Sequence, residues 1–159
     1  MGKKIIGIAE MSASKAPDII VTLGLGSCVG VTLYDPTSKV GGMVHIMLPD
    51  SNGNPKGKPA KYADTAIPLL LENVLKLGAN KSKLVAKLAG GAQMLKFSRN
   101  NTANSIGTRN AEEAKKALRK AGIRIVAEDT GGSYGRTIEL DLETGKLLVK
   151  TVGYGKKEI

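Results

Sequence analysis

The chain has 159 residues, 42% of them hydrophobic and 24% charged, with a net charge of +10 and a single cysteine. That is enough chain for one core without metal or disulfide staples, and a lone thiol excludes an intrachain disulfide, in keeping with a reducing compartment. No apolar run reaches the roughly 18 residues of a membrane span, "IIGIA" is too short for a secretory leader, and "MGKKII" lacks the Ser or Thr of a myristoylation signal, so one cytoplasmic domain over residues 1–159 is the expectation.

In chain order, "KKIIGIAE" reads as a first strand and the β-branched "DIIVTL" as a second. "CVGVTLY" is a third, closed by the turn "DPTS", and "VGGMVHIML" a fourth. The stretch "PDSNGNPKGKPAKY" is a long loop, and long ordered loops in compact domains usually bind or cover something. "ADTAIPLLLENVLKLG" is a helix with Asp64 as candidate N-cap, Pro68 in its first turn and Gly78 as its stop. "KLVAKLAGGA" is a strand, and "QMLKFSRNNTANSIG" is irregular. "TRNAEEAKKALRKAG" is a second helix, capped by Thr108 or Asn110, with apolar positions 111, 114, 117, 118 and 121 on one face. "IRIVAEDTGG", "RTIELDL" and "KLLVKTVG" are closing strands, the last two joined by a hairpin turn at "ETG". About eight strands and two helices give an α+β class, a β-sandwich of mixed and antiparallel sheets flanked by helices.

The basic balance raises nucleic acid, a membrane surface or an acidic protein as partners. One Phe, four Tyr and no Trp leave few platforms for stacking bases, and no helix-turn-helix, zinc-finger or RNP pattern is present. An acidic protein surface fits better; a solvated basic face with no specific partner is the plainer alternative.

Cys28 and His45 are the only residues of their kinds. Gly26-Ser27-Cys28-Val29-Gly30 fits G-x-C-x-G, a thiol form of the nucleophile elbow. An elbow needs a helix after the nucleophile, and "VGVTLY" reads as strand, so that fold is excluded. "GLGSCVG" also misses the dinucleotide fingerprint in its glycine spacing. What remains is a hairpin of strands 28–34 and 39–48 in which Cys28 and His45 face each other across the ladder. An imidazole there can activate the thiol. Backbone N–H groups around Gly26, Ser27 and Cys28 are candidate oxyanion donors, and Thr22, on the preceding strand, is a candidate third group to orient the imidazole. The opposing reading is a buried cysteine that fills space and a hydrogen-bonded core histidine, with Thr22 an ordinary strand residue. One Cys and one His fall short of a zinc site, and no metal or cofactor is expected.

The blocks "VTLGLGSCVGVTLYDP", "GGMVHIMLPDS", "KYADTAIPLLL", "KLAGGAQM", "IGTRNAE", "AEDTGG" and "ETGKLLVK" resemble, in order and over nearly the whole chain, the CheD family of chemoreceptor glutamine deamidases. The resemblance implies a catalytic Cys28 and His45 with a supporting Thr22, and a fold like the catalytic domain of cytotoxic necrotizing factor. It implies conversion of glutamines on chemoreceptor cytoplasmic domains to glutamates, with methylesterase activity as a second use of the same thiol. It also implies a CheC-type phosphatase as partner; a non-catalytic docking regulator of that phosphatase is the alternative function. The segment "QMLKFSRNN" departs from the family's pattern, which puts a partner contact through Phe97 in question. The loop and helix start after His45 are expected to line the substrate entrance, with Lys61, Tyr62, Asp64 and Thr65 as candidates. No nucleic-acid partner and no stable membrane insertion are expected.

Overall fold

Two five-stranded sheets stack on each other, and both helices cover the outer face of one of them. The computed structural model describes residues 2–53, 57–94 and 105–159. The first sheet has the order β1 (Lys3–Ile6), β3 (Ile19–Leu25), β8 (Arg136–Asp141), β9 (Leu147–Thr151), β10 (Gly155–Glu158). The second has the order β2 (Met11–Lys15), β5 (Val40–Ile46), β4 (Val29–Asp35), β6 (Val85–Gly90), β7 (Arg124–Thr130). β1 with β3 and β6 with β7 run parallel, and the other pairs are antiparallel. The architecture is therefore the expected α+β sandwich with mixed sheets.

Two cores follow from this layering. Between the sheets lie Ile20, Leu25, Ile138 and Leu140 of the first and Tyr34, Met43 and Ala89 of the second. On the far side of the second sheet, Val31, Leu33, Val44 and Leu88 meet Ile67 and Leu70 of α1 (Ala63–Lys76) and Ala114 and Leu118 of α2 (Ile106–Lys120). Every residue of β4 and β5 is buried, because these strands have helices on one side and a sheet on the other. This explains why they read as nearly unbroken apolar runs rather than alternating ones.

Several elements differ from their sequence reading. "KKIIGIAE" is not one strand. It breaks after Ile6 at a turn where Ala9 takes φ 61°, and the chain crosses to the other sheet as β2. β2 and the four-residue β10 are edge strands of polar composition, "MSASK" and "GKKE", so no apolar pattern marks them. Asp64 sits in the first turn of α1 and does not cap it, since Tyr62 holds that position. Pro68 is the sixth residue of α1, two positions further in than an Asp64 cap would put it, and faces solvent. α2 starts ahead of the expected caps, with the Ser105 hydroxyl accepting from the Thr108 N–H at 3.2 Å. Gly78 and Gly122 do end the helices, each with positive φ and a pair of reverse-turn bonds (Ala79 N–H to Val74 carbonyl, 3.1 Å; Ile123 N–H to Leu118 carbonyl, 3.0 Å). Phe97 and most of the segment expected to be irregular lie outside the described residues. No described helix is long and apolar enough to cross a membrane.

Candidate active site

The hairpin closes at Asp35 opposite Val40, and that closure sets every pairing behind it. Stepping back, Gly30 comes opposite His45. Cys28, just ahead of β4, is therefore the diagonal neighbour of His45, not its direct opposite as the sequence suggests. Residues two apart on a strand share a face, so Cys28, Gly30 and His45 look the same way. That face is the space between the sheets, since Cys28 packs against the inter-sheet core. Gly30 has no side chain, which lets Ile138 and Leu25 of the other sheet pack close to the backbone here. A Cβ there would lie 2.5 Å from Ile138 Cδ1.

His45 is fully buried, and its ring is held from the opposite sheet. Thr22 Oγ1 lies 2.7 Å from His45 Nδ1 and 2.8 Å from the Ile6 carbonyl oxygen. A hydroxyl has one proton, and a carbonyl can only accept. The Thr22 hydroxyl thus donates to Ile6 and accepts from Nδ1–H. This fixes the tautomer and leaves Nε2 as the unprotonated nitrogen. Nε2 is buried and has no partner among the described residues. Burial lowers the imidazole pKa from 6.5 to about 4, so the ring is a neutral base at physiological pH. Burial also pushes the half-buried Cys28 thiol above its ordinary value. Burial thus favours the uncharged form of each group, the thiol and the imidazole alike.

The residues around the thiol are anchored one carbonyl after another. The Gly26 carbonyl accepts from Ala92 N–H at 2.9 Å and the Cys28 carbonyl from Gly91 N–H at 2.9 Å. The Ser27 carbonyl accepts from the Asn110 side-chain amide at 2.9 Å. Gly90, with φ 109°, makes this approach possible, because a Cβ there would sit 2.3 Å from the Cys28 carbonyl oxygen. In a trans peptide the C=O and the next N–H point in opposite directions. Anchoring the Gly26 and Ser27 carbonyls therefore turns the N–H groups of Ser27 and Cys28 away from those anchors.

The residues expected at the entrance have other bonds as well. Asp64 accepts from the Ser51 N–H (2.9 Å) and hydroxyl (2.6 Å). Those bonds, with a backbone donor of its own, hold its carboxyl below the usual carboxylate range against the opposing effect of burial. Thr65 Oγ1 donates to the Pro59 carbonyl at 2.5 Å. Both side chains order the loop. The Lys61 carbonyl accepts from Met47 and Leu48, two and three residues past His45. Tyr62 is buried, with the Lys61 ammonium 5.7 Å from its ring centroid. Asn110 is the site residue that sequence reasoning missed: its "TRN" context suggests a cap, and nothing local reveals that it reaches residues 27 and 47. No cluster of metal-ligating residues occurs among the described residues.

Fold and site together define an α+β sandwich domain with a lone thiol and an oriented, neutral imidazole set between its sheets. The family described as "CheD chemotactic sensory transduction" matches residues 47–151. Relatives cover the rest, including Thr22, Cys28 and His45. The chemoreceptor glutamine deamidase CheD of Thermotoga maritima is 53% identical over 98% of this chain and 96% of its own. Probable chemoreceptor glutamine deamidases CheD of Caldanaerobacter subterraneus and Desulfitobacterium hafniense are 54% and 51% identical, each over 97% of this chain and 96% of theirs. Among solved structures, the chain is similar to the Bacillus licheniformis hypothetical protein YfiH, with TM-score 0.49 and 13% identity over 76% of this chain and 50% of that one. The chain belongs to the CheD family.

Proposed function

We propose that this protein is a cysteine amidohydrolase that converts glutamine side chains of chemoreceptors to glutamates. The observation that carries the reading is the unpartnered, buried His45 Nε2, kept deprotonated by the Thr22 bond to Nδ1 and set on the same face as the only thiol. The relatives' names supply the substrate class.

In the reaction, Nε2 takes the Cys28 proton as sulfur attacks the glutamine side-chain carbonyl. Neutral partners suit this concerted step, since no ion pair has to be buried beforehand. The oxyanion of the tetrahedral intermediate meets the N–H groups of Ser27 and Cys28, the Ser27 group lying in the peptide that Gly26 begins. The imidazolium then protonates the departing nitrogen, ammonia leaves, and a thioester remains. Nε2 deprotonates a water, the water attacks the thioester, and glutamate and the thiol are released. A glutamate methyl ester would enter the same thioester with methanol as leaving group, giving methylesterase activity. Lys61 and Tyr62 stand at the entrance, on backbone tied to the residues after His45, while Asp64 and Thr65 hold that loop in place. Docking to a CheC-type phosphatase is a separate activity that does not need the thiol.

The test is peptide mass spectrometry of a chemoreceptor cytoplasmic fragment incubated with wild type, Cys28→Ala or His45→Ala. A Gln-to-Glu mass gain with wild type alone supports the reading. No gain with any of them, on a receptor from the same cell, removes the enzymatic reading and leaves the docking one.

A further inference from the structure

Asn110 joins two segments that carry different parts of the chemistry. It projects from α2 and is fully buried. Its side-chain Nδ2 donates to the Ser27 carbonyl at 2.9 Å and to the Met47 carbonyl at 3.1 Å. Ser27 directly precedes the thiol, and Met47 lies two residues beyond the imidazole. Both hydrogens of one planar amide are thus used to tie the nucleophile's loop to the base's strand. Two carbonyls need donors, so the NH2 group must face them. The other end, Oδ1, is buried without a partner among the described residues. An apolar residue would avoid that buried, unmet acceptor, so packing alone does not account for an asparagine here.

The helix is built to bring this amide close. Gly107 lies one turn before Asn110 on the same face. A Cβ at position 107 would sit 2.2 Å from the Ala92 carbonyl oxygen. That contact brings α2 down onto the 91–92 segment, whose N–H groups hold the Gly26 and Cys28 carbonyls. Asn110 supplies the remaining bond, to the carbonyl between them.

We infer that Asn110 is a positioning residue that fixes Cys28 relative to His45 by clamping the Ser27 and Met47 carbonyls. The inference rests on the thiol reading of the site. It has its own signature. Releasing the clamp lets the loop open, so Cys28 gains solvent while losing its fixed place relative to His45. Alkylation of the thiol and turnover should therefore move in opposite directions.

The full chain is compared as wild type, Asn110→Ala, Asn110→Ser and Leu118→Ala, the last a core truncation two turns further along the same helix that leaves both Asn110 hydrogen bonds in place. Deamidation kinetics on a receptor fragment and iodoacetamide alkylation across pH are read well below each variant's melting temperature. Expected for both Asn110 variants are a kcat lower by about 100-fold, a KM near wild type, and an alkylation midpoint shifted down toward that of a free thiol. Leu118→Ala should melt earlier yet keep kcat and the midpoint. An Asn110→Ala that keeps kcat and midpoint overturns the inference, as does a Leu118→Ala that reproduces the Asn110 effects. Should Asn110→Ala fail to fold, Asn110→Ser carries the comparison. If wild type itself does not deamidate, the enzymatic reading fails, and the alkylation midpoints still decide whether Asn110 holds the thiol.

Discussion

Thr22 and His45 belong to different sheets, and the 2.7 Å bond between them decides which imidazole nitrogen is free. Replacing Thr22 by Val keeps the shape and removes the acceptor. Nδ1–H is then buried unmet, and the ring loses its fixed tautomer. We expect kcat to fall by about 100-fold with KM little changed, and stability to fall by about 1–3 kcal/mol. Thr22→Ser, which keeps the hydroxyl, should restore most of both. Steady-state deamidation and urea unfolding measure the two effects, and an active Thr22→Val would remove Thr22 from the site.

The buried imidazole makes stability depend on pH. In the unfolded chain His45 titrates near 6.5, and in the folded protein at about 4. Between these values the unfolded chain binds a proton that the folded one does not, so acid favours unfolding. The contribution is complete above pH 6.5 and is lost as pH falls towards 4, with a total of about 3 kcal/mol. Urea midpoints of wild type and His45→Gln should converge over this window. A gap that stays constant would show that the ring is hydrated.

The same shift sets the acid limb of turnover. The base is lost when Nε2 is protonated, so kcat/KM should hold level through neutral pH and drop near pH 4. A limb near the ordinary imidazole value would contradict the buried geometry.

Cys28 should alkylate slowly at neutral pH, with a midpoint above that of free cysteine, because burial disfavours the thiolate. A midpoint below neutrality would mean that a thiolate–imidazolium pair forms at rest.

Arg136 is buried against Asp129 (Nε to Oδ2, 3.1 Å) and donates to the Gly90 carbonyl at 3.3 Å, on the strand end that supports the Cys28 loop. Asp129→Ala leaves that guanidinium unmatched and should cost about 3 kcal/mol. Breaking the exposed Lys39–Glu143 pair with Glu143→Gln should leave the urea midpoint nearly where it was. Equal effects would show that Asp129 is not the partner that matters.

Much of this was legible in the sequence. β3 to β6 and both helices announce themselves through β-branched runs, a 3.6-residue apolar face and stop glycines. Cys28 and His45 stand out by rarity, and Thr22 by its place on the strand before them. What the sequence hides is relational. "MSASK" forms a strand only because β5 offers it an edge, and "GKKE" only because β9 does. The diagonal placement of Cys28 against His45 follows from the turn's closing pair, which composition does not fix. Asn110 is invisible because its partners, Ser27 and Met47, lie 83 and 63 residues away.

The bond from Thr22 to His45 has one more consequence. His45 lies on one sheet with Cys28 just ahead of the neighbouring strand, and Thr22, which fixes the imidazole tautomer, lies on the other. The bond that fixes the imidazole therefore exists only while the two layers stay docked. A partly unfolded molecule, or a nascent chain whose layers have yet to meet, carries the thiol without the oriented imidazole that the proposed reaction needs. Under the proposed mechanism, catalytic competence is in this way a readout of completed folding, since the imidazole is set only once the sandwich has closed.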